Sequence, residues 1–368
     1  MSNPIRVGII GATPDRGWAL TAHVPSLKIL PAFALTAVST SRRESADEAA
    51  RRFGARHAFT DPAALAACAD VDLVVISVKV PEHDRLVRAA LEAGKHVFCE
   101  WPLGRTTQEA EALRDLAKAK GVRTFVGLQA RYAPVLRHVR ALVAEGAIGD
   151  ILSCTLTATS PIWGPVADRF QRYLLDDANG ATMLTINAGH TLDGLCFCAG
   201  EFADLSATLA IRQPTAKDAE TGETVAKTAP DQIAIAGRLQ GGAIATLHFR
   251  GGVATGSGLQ FEINGTEGDL LLATDTGLGL QNADLTLRGS RGRGKPLEPM
   301  TVPDRFFTLP QNAGPSRMRN VGELYAHIAR CLQGGEAAET DFDLAVRRHY
   351  LLDAIRQSSG EGRRISLK

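Results

Sequence analysis

The stretch Ile5–Ile10 is apolar apart from Arg6 and Gly8. It breaks at Gly11 into Ala12-Thr13-Pro14-Asp15-Arg16-Gly17-Trp18, where a helical pattern begins. Strand, glycine turn and helix in that order restrict the fold more than any other feature of the chain. Glycines let the backbone turn tightly and approach an anion, and the following helix presents unpaired N–H groups and the positive end of its dipole. The arrangement is that of a dinucleotide site, with Gly11, Thr13, Arg16, Gly17 and Trp18 as candidate cofactor residues. Thr13 stands where the usual fingerprint has its second glycine, and Pro14 and Asp15 lengthen the loop. A glycine turn alone is a weak signal, so the segments that follow have to carry the argument.

They alternate. Phe33–Ser39 reads as a second strand, with Ser41 as the cap of a helix over Arg43–Phe53. An acidic residue at the end of this strand bonds the ribose 2′-hydroxyl, but the chain reads Ser39-Thr40-Ser41-Arg42-Arg43. Hydroxyl and guanidinium groups suit a 2′-phosphate, so Thr40, Ser41 and Arg42 point to NADP(H) in preference to NAD(H). A third strand over residues 71–78 runs into Ser77-Val78-Lys79-Val80-Pro81-Glu82-His83. A fourth, His96–Cys99, delivers Glu100-Trp101-Pro102, and a fifth over 124–128 precedes Gln129. Ligands of open parallel sheets sit beyond the carboxyl ends of the strands. That makes Ser77, Val78, Lys79, His83, Glu100, Trp101 and Gln129 further cofactor-side candidates. Five strands separated by helices predict an α/β, doubly wound Rossmann domain over residues 1–130.

From residue 131 the pattern changes. A connecting helix, Pro134–Ala144, leads to strands over 151–159, 205–211, 232–239, 243–249 and 259–264, with hairpin signals at Gln240-Gly241-Gly242 and at 264–269. Residues 131–368 are therefore expected to form an α+β domain with an open, mostly antiparallel sheet, crossed on one face by a helix over 183–198. Its roles would be substrate binding and oligomerisation. A sheet face left without helices suits a homodimer or homotetramer. Residues 213–230 and 289–316 lack periodicity and read as long loops. The second contains a short basic run, Arg291-Gly292-Arg293-Gly294-Lys295, read as solvated loop. Helices over 321–331 and 344–358 follow.

A length of 368 residues suits two domains, and 41 Lys plus Arg against 40 Asp plus Glu leaves no electrostatic footprint for nucleic acid. A small-molecule partner is expected instead. With no signal pattern and no membrane-length apolar run, the expectation is a cytoplasmic protein without a membrane partner. The six cysteines lack the spacing of a metal or redox site, so neither a structural metal nor a disulfide framework is expected.

The segments 77–83, Glu100-Trp101, Gly121-Val122-Arg123-Thr124 with Leu128-Gln129, Gly189-His190-Thr191-Leu192-Asp193, Lys227-Thr228-Ala229-Pro230-Asp231 and 265–270 extend, in order, over most of the chain. With them the chain resembles the glucose-fructose oxidoreductase and inositol dehydrogenase (Gfo/Idh/MocA) family, closest to the branch of the fungal galactose-regulon repressor. The resemblance implies hydride transfer between a nicotinamide and a sugar or related alcohol. In the family a Glu-Lys-Pro lysine orients the substrate hydroxyl, and an Asp-x-Gly-x-His motif transfers the proton. Carried over, the lysine position is Trp101 and the aspartate position is Ile186, and only the histidine survives, as His190. An indole N–H donates a hydrogen bond but cannot act as a base.

An unperturbed imidazole titrates near neutral pH, which makes His190 the candidate acid. Lys79 and Tyr173 are the other catalytic candidates, with Asp176, Trp163, Arg131 and Tyr132 near them in the chain. Three functions follow: an NADP(H)-dependent oxidoreductase acting on a carbonyl, sugar-like or imine substrate, a catalytically silent dinucleotide-sensing regulator, and a redox-assisted lyase or glycosidase. The persistence of the glycine turn and His190 favours the first.

Overall fold

A computed structural model describes residues 3–252, 256–292 and 294–367. Arg293 of the basic run lies outside the described residues. The chain divides into two compact units, residues 1–129 with 308–349, and residues 130–307 with 350–368. Residues 308–349 thus cluster with the first unit rather than with the rest of the chain beyond residue 130. The reason is the helix Ser316–Gly334, whose apolar face includes Val321, Leu324, Tyr325 and Ile328. Tyr325 stacks edge-on against Phe33 and Phe98, both strand residues of that unit.

The first unit is built on β1 (Ile5–Ile10), β2 (Phe33–Ser39), β3 (His57–Phe59), β4 (Leu73–Ile76), β5 (His96–Cys99) and β6 (Thr124–Val126). All pairings are parallel and the order is β3-β2-β1-β4-β5-β6, a doubly wound sheet. The sequence pattern lacks β3. It is three residues long, half-buried, and paired only with β2 at the sheet edge, so no apolar run announces it. The expected strand over 71–78 shortens to β4. Ser41 does not cap the next helix: its N-cap is Arg42, and the helix opens at Arg43.

The second unit contains β7 (Ile151–Ser160), β8 (Val166–Ala167), β9 (Phe202–Ala210), β10 (Thr215–Asp218), β11 (Thr224–Ala226), β12 (Gln232–Leu239), β13 (Ile244–Gly251), β14 (Leu259–Gly265), β15 (Gly268–Thr274), β16 (Thr286–Arg291), β17 (Glu298–Pro299) and β18 (Ile365–Ser366). A nine-stranded sheet runs β17-β16-β15-β14-β7-β13-β12-β9-β18, antiparallel except where β7 and β13 pair in parallel. The α/β class with a mostly antiparallel second sheet is as the sequence predicts.

Side chains of β12 and β13 alternate strictly. Ile233, Ile235, Ala245, Leu247 and Phe249 are buried, while Ala234, Ala236, Thr246 and His248 are exposed, so one face of the sheet is open. Residues 213–230 are not an aperiodic loop. They form β10 and β11, which join β8 in a second, three-stranded sheet over Ala167, Leu175, Ala216 and Val225. The helix expected over 183–198 is a π-helical segment, Met183–Ala188, continued by the α-helix Gly189–Ala199. Among the described residues, no helix is long and apolar enough to cross a membrane.

Candidate functional site

In the first unit the candidate residues gather at the carboxyl edge of the sheet. Between β1 and β4 the strand order reverses, and the ends of these two strands frame the crevice where doubly wound sheets take ligands. Gly11 ends β1 with φ +93°. A Cβ there would come within 2.2 Å of the Ser77 carbonyl oxygen, which follows β4. Only glycine lets the two strand ends approach this closely. The amides of Gly11 and Ala12 both donate to the Ser39 carbonyl (2.9 and 3.3 Å), tying the turn to the end of β2. Arg52 Nη1 donates to the Pro14 carbonyl at 2.6 Å, so the lengthened part of the loop is held by the helix Arg43–Phe53. Arg16 is exposed and pairs with Asp15 at 3.2 Å. Gly17 and Trp18 begin the next helix, which becomes π-helical over Ala19–His23.

At the end of β2, Thr40 Oγ1 is spent on the Arg42 carbonyl and Ser45 Oγ. Arg43 is spent on Asp47. Ser41 and Arg42 are exposed, and Arg42 makes no ion pair among the described residues. The guanidinium available to an anion here is therefore that of Arg42.

Lys79 is exposed at the start of a short turn, Val80–Glu82. His83 is buried, with Nδ1 2.9 Å from the Pro102 carbonyl and Nε2 3.1 Å from the Val78 carbonyl. Burial pushes its pKa down, against the two carbonyls that favour the charged form. Both ring nitrogens face backbone carbonyls, of which a neutral ring donates to one, and the ring braces the segment after β4 against the segment after β5.

Glu100 follows β5 and packs against Gly127, where a Cβ would meet Glu100 Oε2 at 2.7 Å. Its Oε1 lies 3.0 Å from His23 Nε2, outside hydrogen-bonding alignment. His23 Nδ1 in turn lies 2.9 Å from the Tyr325 hydroxyl. Neither His23 nor Tyr325 was legible as a site neighbour, because a histidine within an apolar helix carries no periodic signal. Trp101 is 4% exposed, and its ring lies 5.1 Å from that of His349.

Buried polar side-chain atoms normally find partners. In this unit Trp18 Nε1, Ser77 Oγ, Glu100 Oε1 and Gln129 Oε1 are buried and make no hydrogen bond. Trp18 follows the glycine turn, and the other three stand just beyond β4, β5 and β6. Donors and acceptors so concentrated on one sheet edge suit a ligand rich in hydroxyl, amide and phosphate groups, and the residues present fit a dinucleotide.

In the second unit, His190 is 5% exposed on the helix Gly189–Ala199. Thr182 and Thr185 form a reciprocal capping box that starts the preceding π-helical segment. One turn beyond His190, the fully buried Asp193 forms a bidentate pair with the largely buried Arg131 (2.7 and 2.8 Å), which fixes the helix. Ile186, half-buried, offers His190 no carboxylate. Tyr173 lies half-buried in the turn Arg172–Leu175, and burial pushes its phenol pKa up. Asp176 caps the next turn through Ala178 N and accepts from Thr228 Oγ1. The Trp163 indole donates to the Leu174 carbonyl at 3.1 Å.

Residues 5–128 match a family described as "Oxidoreductase family, NAD-binding Rossmann fold", and residues 134–274 match "Gal80p, C-terminal domain". The galactose/lactose metabolism regulatory protein GAL80 of Saccharomyces cerevisiae is 30% identical over 317 residues, covering 80% of this chain and 72% of that protein. The chain belongs to the Gfo/Idh/MocA oxidoreductase family.

Within the family it lies near Gal80. The crystal structure of a super-repressor mutant of S. cerevisiae Gal80p superposes with a TM-score of 0.89 at 26% identity, covering 99% of this chain and 98% of that one. The dehydrogenase aclE of Aspergillus oryzae is 38% identical over 214 residues, 56% of this chain and 58% of that protein. The match to GAL80 of Kluyveromyces lactis spans 65% of that protein's length. In this Gfo/Idh/MocA member Trp101, two residues beyond the end of β5, is buried.

Proposed function

We propose that the protein is an NADP(H)-dependent oxidoreductase that reduces a small carbonyl, sugar-like or imine substrate with altered acid–base residues. The observation that carries the reading is the set of buried polar atoms of Trp18, Ser77 and Gln129 that make no hydrogen bond along one sheet edge, with the Glu100 carboxylate, 3.0 Å from His23 Nε2, beside them. It is supported by the match to an NAD-binding Rossmann oxidoreductase family and by the likeness to a dehydrogenase.

In this reading Gly11, Thr13, Arg16, Gly17 and Trp18 hold the pyrophosphate. Thr40, Ser41 and Arg42 surround a 2′-phosphate. Ser77, Val78, Lys79, His83, Glu100, Trp101 and Gln129 form the nicotinamide side. A nicotinamide held there would supply the hydride for reduction of a carbonyl or imine carbon. His190 gives its proton to the oxygen or nitrogen that receives the displaced electron pair, and Lys79 and Tyr173 are secondary candidates for contacting that atom. The open face of the nine-stranded sheet is proposed to pack against a second copy of the chain.

Arg42→Glu is expected to weaken NADPH binding about tenfold to a hundredfold, the worth of a charge-assisted hydrogen bond, while leaving NADH binding unchanged. Calorimetric titration with both cofactors checks this, and equal losses for the two would remove the NADP preference. His190→Ala is expected to lower kcat about a hundredfold or more, as loss of a general acid does, without changing the affinity for NADPH. Steady-state and binding measurements on the same preparation test it.

The likeness to GAL80 supports a second reading, a dinucleotide-sensing regulator. That reading gains if NADPH binds, no substrate is turned over, and association with a protein partner responds to the cofactor.

A further inference from the structure

Among the other buried polar atoms of the first unit that make no hydrogen bond, Nε2 of His349 lies outside the sequence motifs. His349 belongs to the helix Phe342–Glu361, is 4% exposed, and lies ring to ring with Trp101 at 5.1 Å and 52°. A phenylalanine or leucine would pack on an indole as well. A buried imidazole nitrogen left without a partner destabilises the fold, so packing alone does not account for a histidine.

Its place in the fold is informative. Trp101 directly follows Glu100 beyond β5, and β5 lies in the half of the sheet formed by β4, β5 and β6. Two mononucleotide-binding halves meet at the strand reversal of a doubly wound sheet. The half that carries the glycine turn and Arg42 is the adenosine side, which leaves β4 to β6 for the nicotinamide.

Building on the dinucleotide reading above, we propose that His349 is a positioning residue whose Nε2 hydrogen-bonds the nicotinamide end of the bound cofactor, beside the Trp101 that replaces the family lysine. Burial pushes the His349 pKa down to about 4, so the imidazole is uncharged at neutral pH. A neutral ring donates or accepts one hydrogen bond and adds no positive charge beside an oxidised nicotinamide, which is itself cationic. A lysine at position 101 would add one.

The test compares two ligands on the whole protein: NADPH, and 2′-phospho-ADP-ribose, which shares the adenosine and phosphate groups and lacks the nicotinamide. His349→Phe keeps an aromatic ring on Trp101 and removes the nitrogens, while His349→Gln restores a polar group at similar reach. His349→Phe is expected to weaken NADPH about tenfold and to leave 2′-phospho-ADP-ribose unchanged, with His349→Gln recovering most of the loss. In the wild-type protein, the His349 side-chain nitrogen NMR signal is expected to move on adding NADPH and to stay put with the fragment, a reading that needs no variant to fold. Equal affinities, equal losses for both ligands, or a signal indifferent to NADPH would overturn the assignment while leaving the dinucleotide site standing. A wild-type protein that binds neither ligand would overturn the dinucleotide reading, and this inference with it.

Discussion

Gly11→Ala is expected to abolish dinucleotide binding and to destabilise the protein by about 3 kcal/mol or more. Two costs combine: an L-residue held at φ +93°, worth about 1–2 kcal/mol, and a methyl group forced to within 2.2 Å of the Ser77 carbonyl oxygen, worth about 1–3 kcal/mol as overpacking. The obstructing atom is backbone, so relief requires β1 and β4 to part at the point where the cofactor would lie. Gly17→Ala is the informative control. Its φ is +88°, but a Cβ there meets nothing within 4 Å, so only the conformational cost of about 1 kcal/mol applies. Thermal unfolding of both variants checks the difference in stability, and NADPH titration of Gly11→Ala against the wild type checks the loss of binding. If Gly11→Ala melted no lower than Gly17→Ala, the close approach of the strand ends would not be what the glycine serves.

The second large effect concerns the second unit. Lys227 and Asp231 form an ion pair at 2.8 Å with both side chains fully buried. Lys227 Nζ also donates to the Trp163 carbonyl at 2.7 Å, and the Asp231 carboxylate accepts from the amides of Arg212 and Gln213. The pair thus ties the end of β11 to the start of β12, the segment after β9 and the turn at Trp163, whose φ is +63°. Lys227→Met leaves a buried carboxylate without its cation and is expected to cost about 3–5 kcal/mol. Adding Asp231→Asn removes the stranded charge while keeping an acceptor, and part of the loss returns. Denaturant unfolding of the single and double variants measures this, and a single-variant cost under about 1 kcal/mol would mean that the pair behaves as a surface one.

What the sequence disclosed, and what it hid, follow from how far each interaction reaches along the chain. The apolar runs of β1, β2 and β5 and the turn at Gly11 are local, and the structure keeps them where the pattern puts them. β10 is hidden because it is four residues long, its hairpin partner β11 has three, and its other partners, Val166 and Ala167 opposite Lys217 and Asp218, lie some fifty positions earlier, where no local period reports them. β3 is hidden for a related reason, being an edge strand too short to bury a face. Among the candidate site residues, the motif positions Glu100, Trp101 and His190 are legible in the sequence. His23, Arg52 and His349 are not, since each matters through one tertiary contact: His23 with Glu100, Arg52 with the Pro14 carbonyl, His349 with Trp101. The capping shift from Ser41 to Arg42 is a one-residue matter that composition does not resolve.

The most direct test of the oxidoreductase reading is the near-ultraviolet absorbance of NADPH on mixing with the purified protein and a panel of keto-sugars, aldehydes and cyclic imines. The account predicts that at least one compound consumes NADPH stoichiometrically with product, in a reaction that His190→Ala suppresses. Tight NADPH binding with no consumption across the panel, and an association with a protein partner that tracks the cofactor, would contradict it in favour of a sensor.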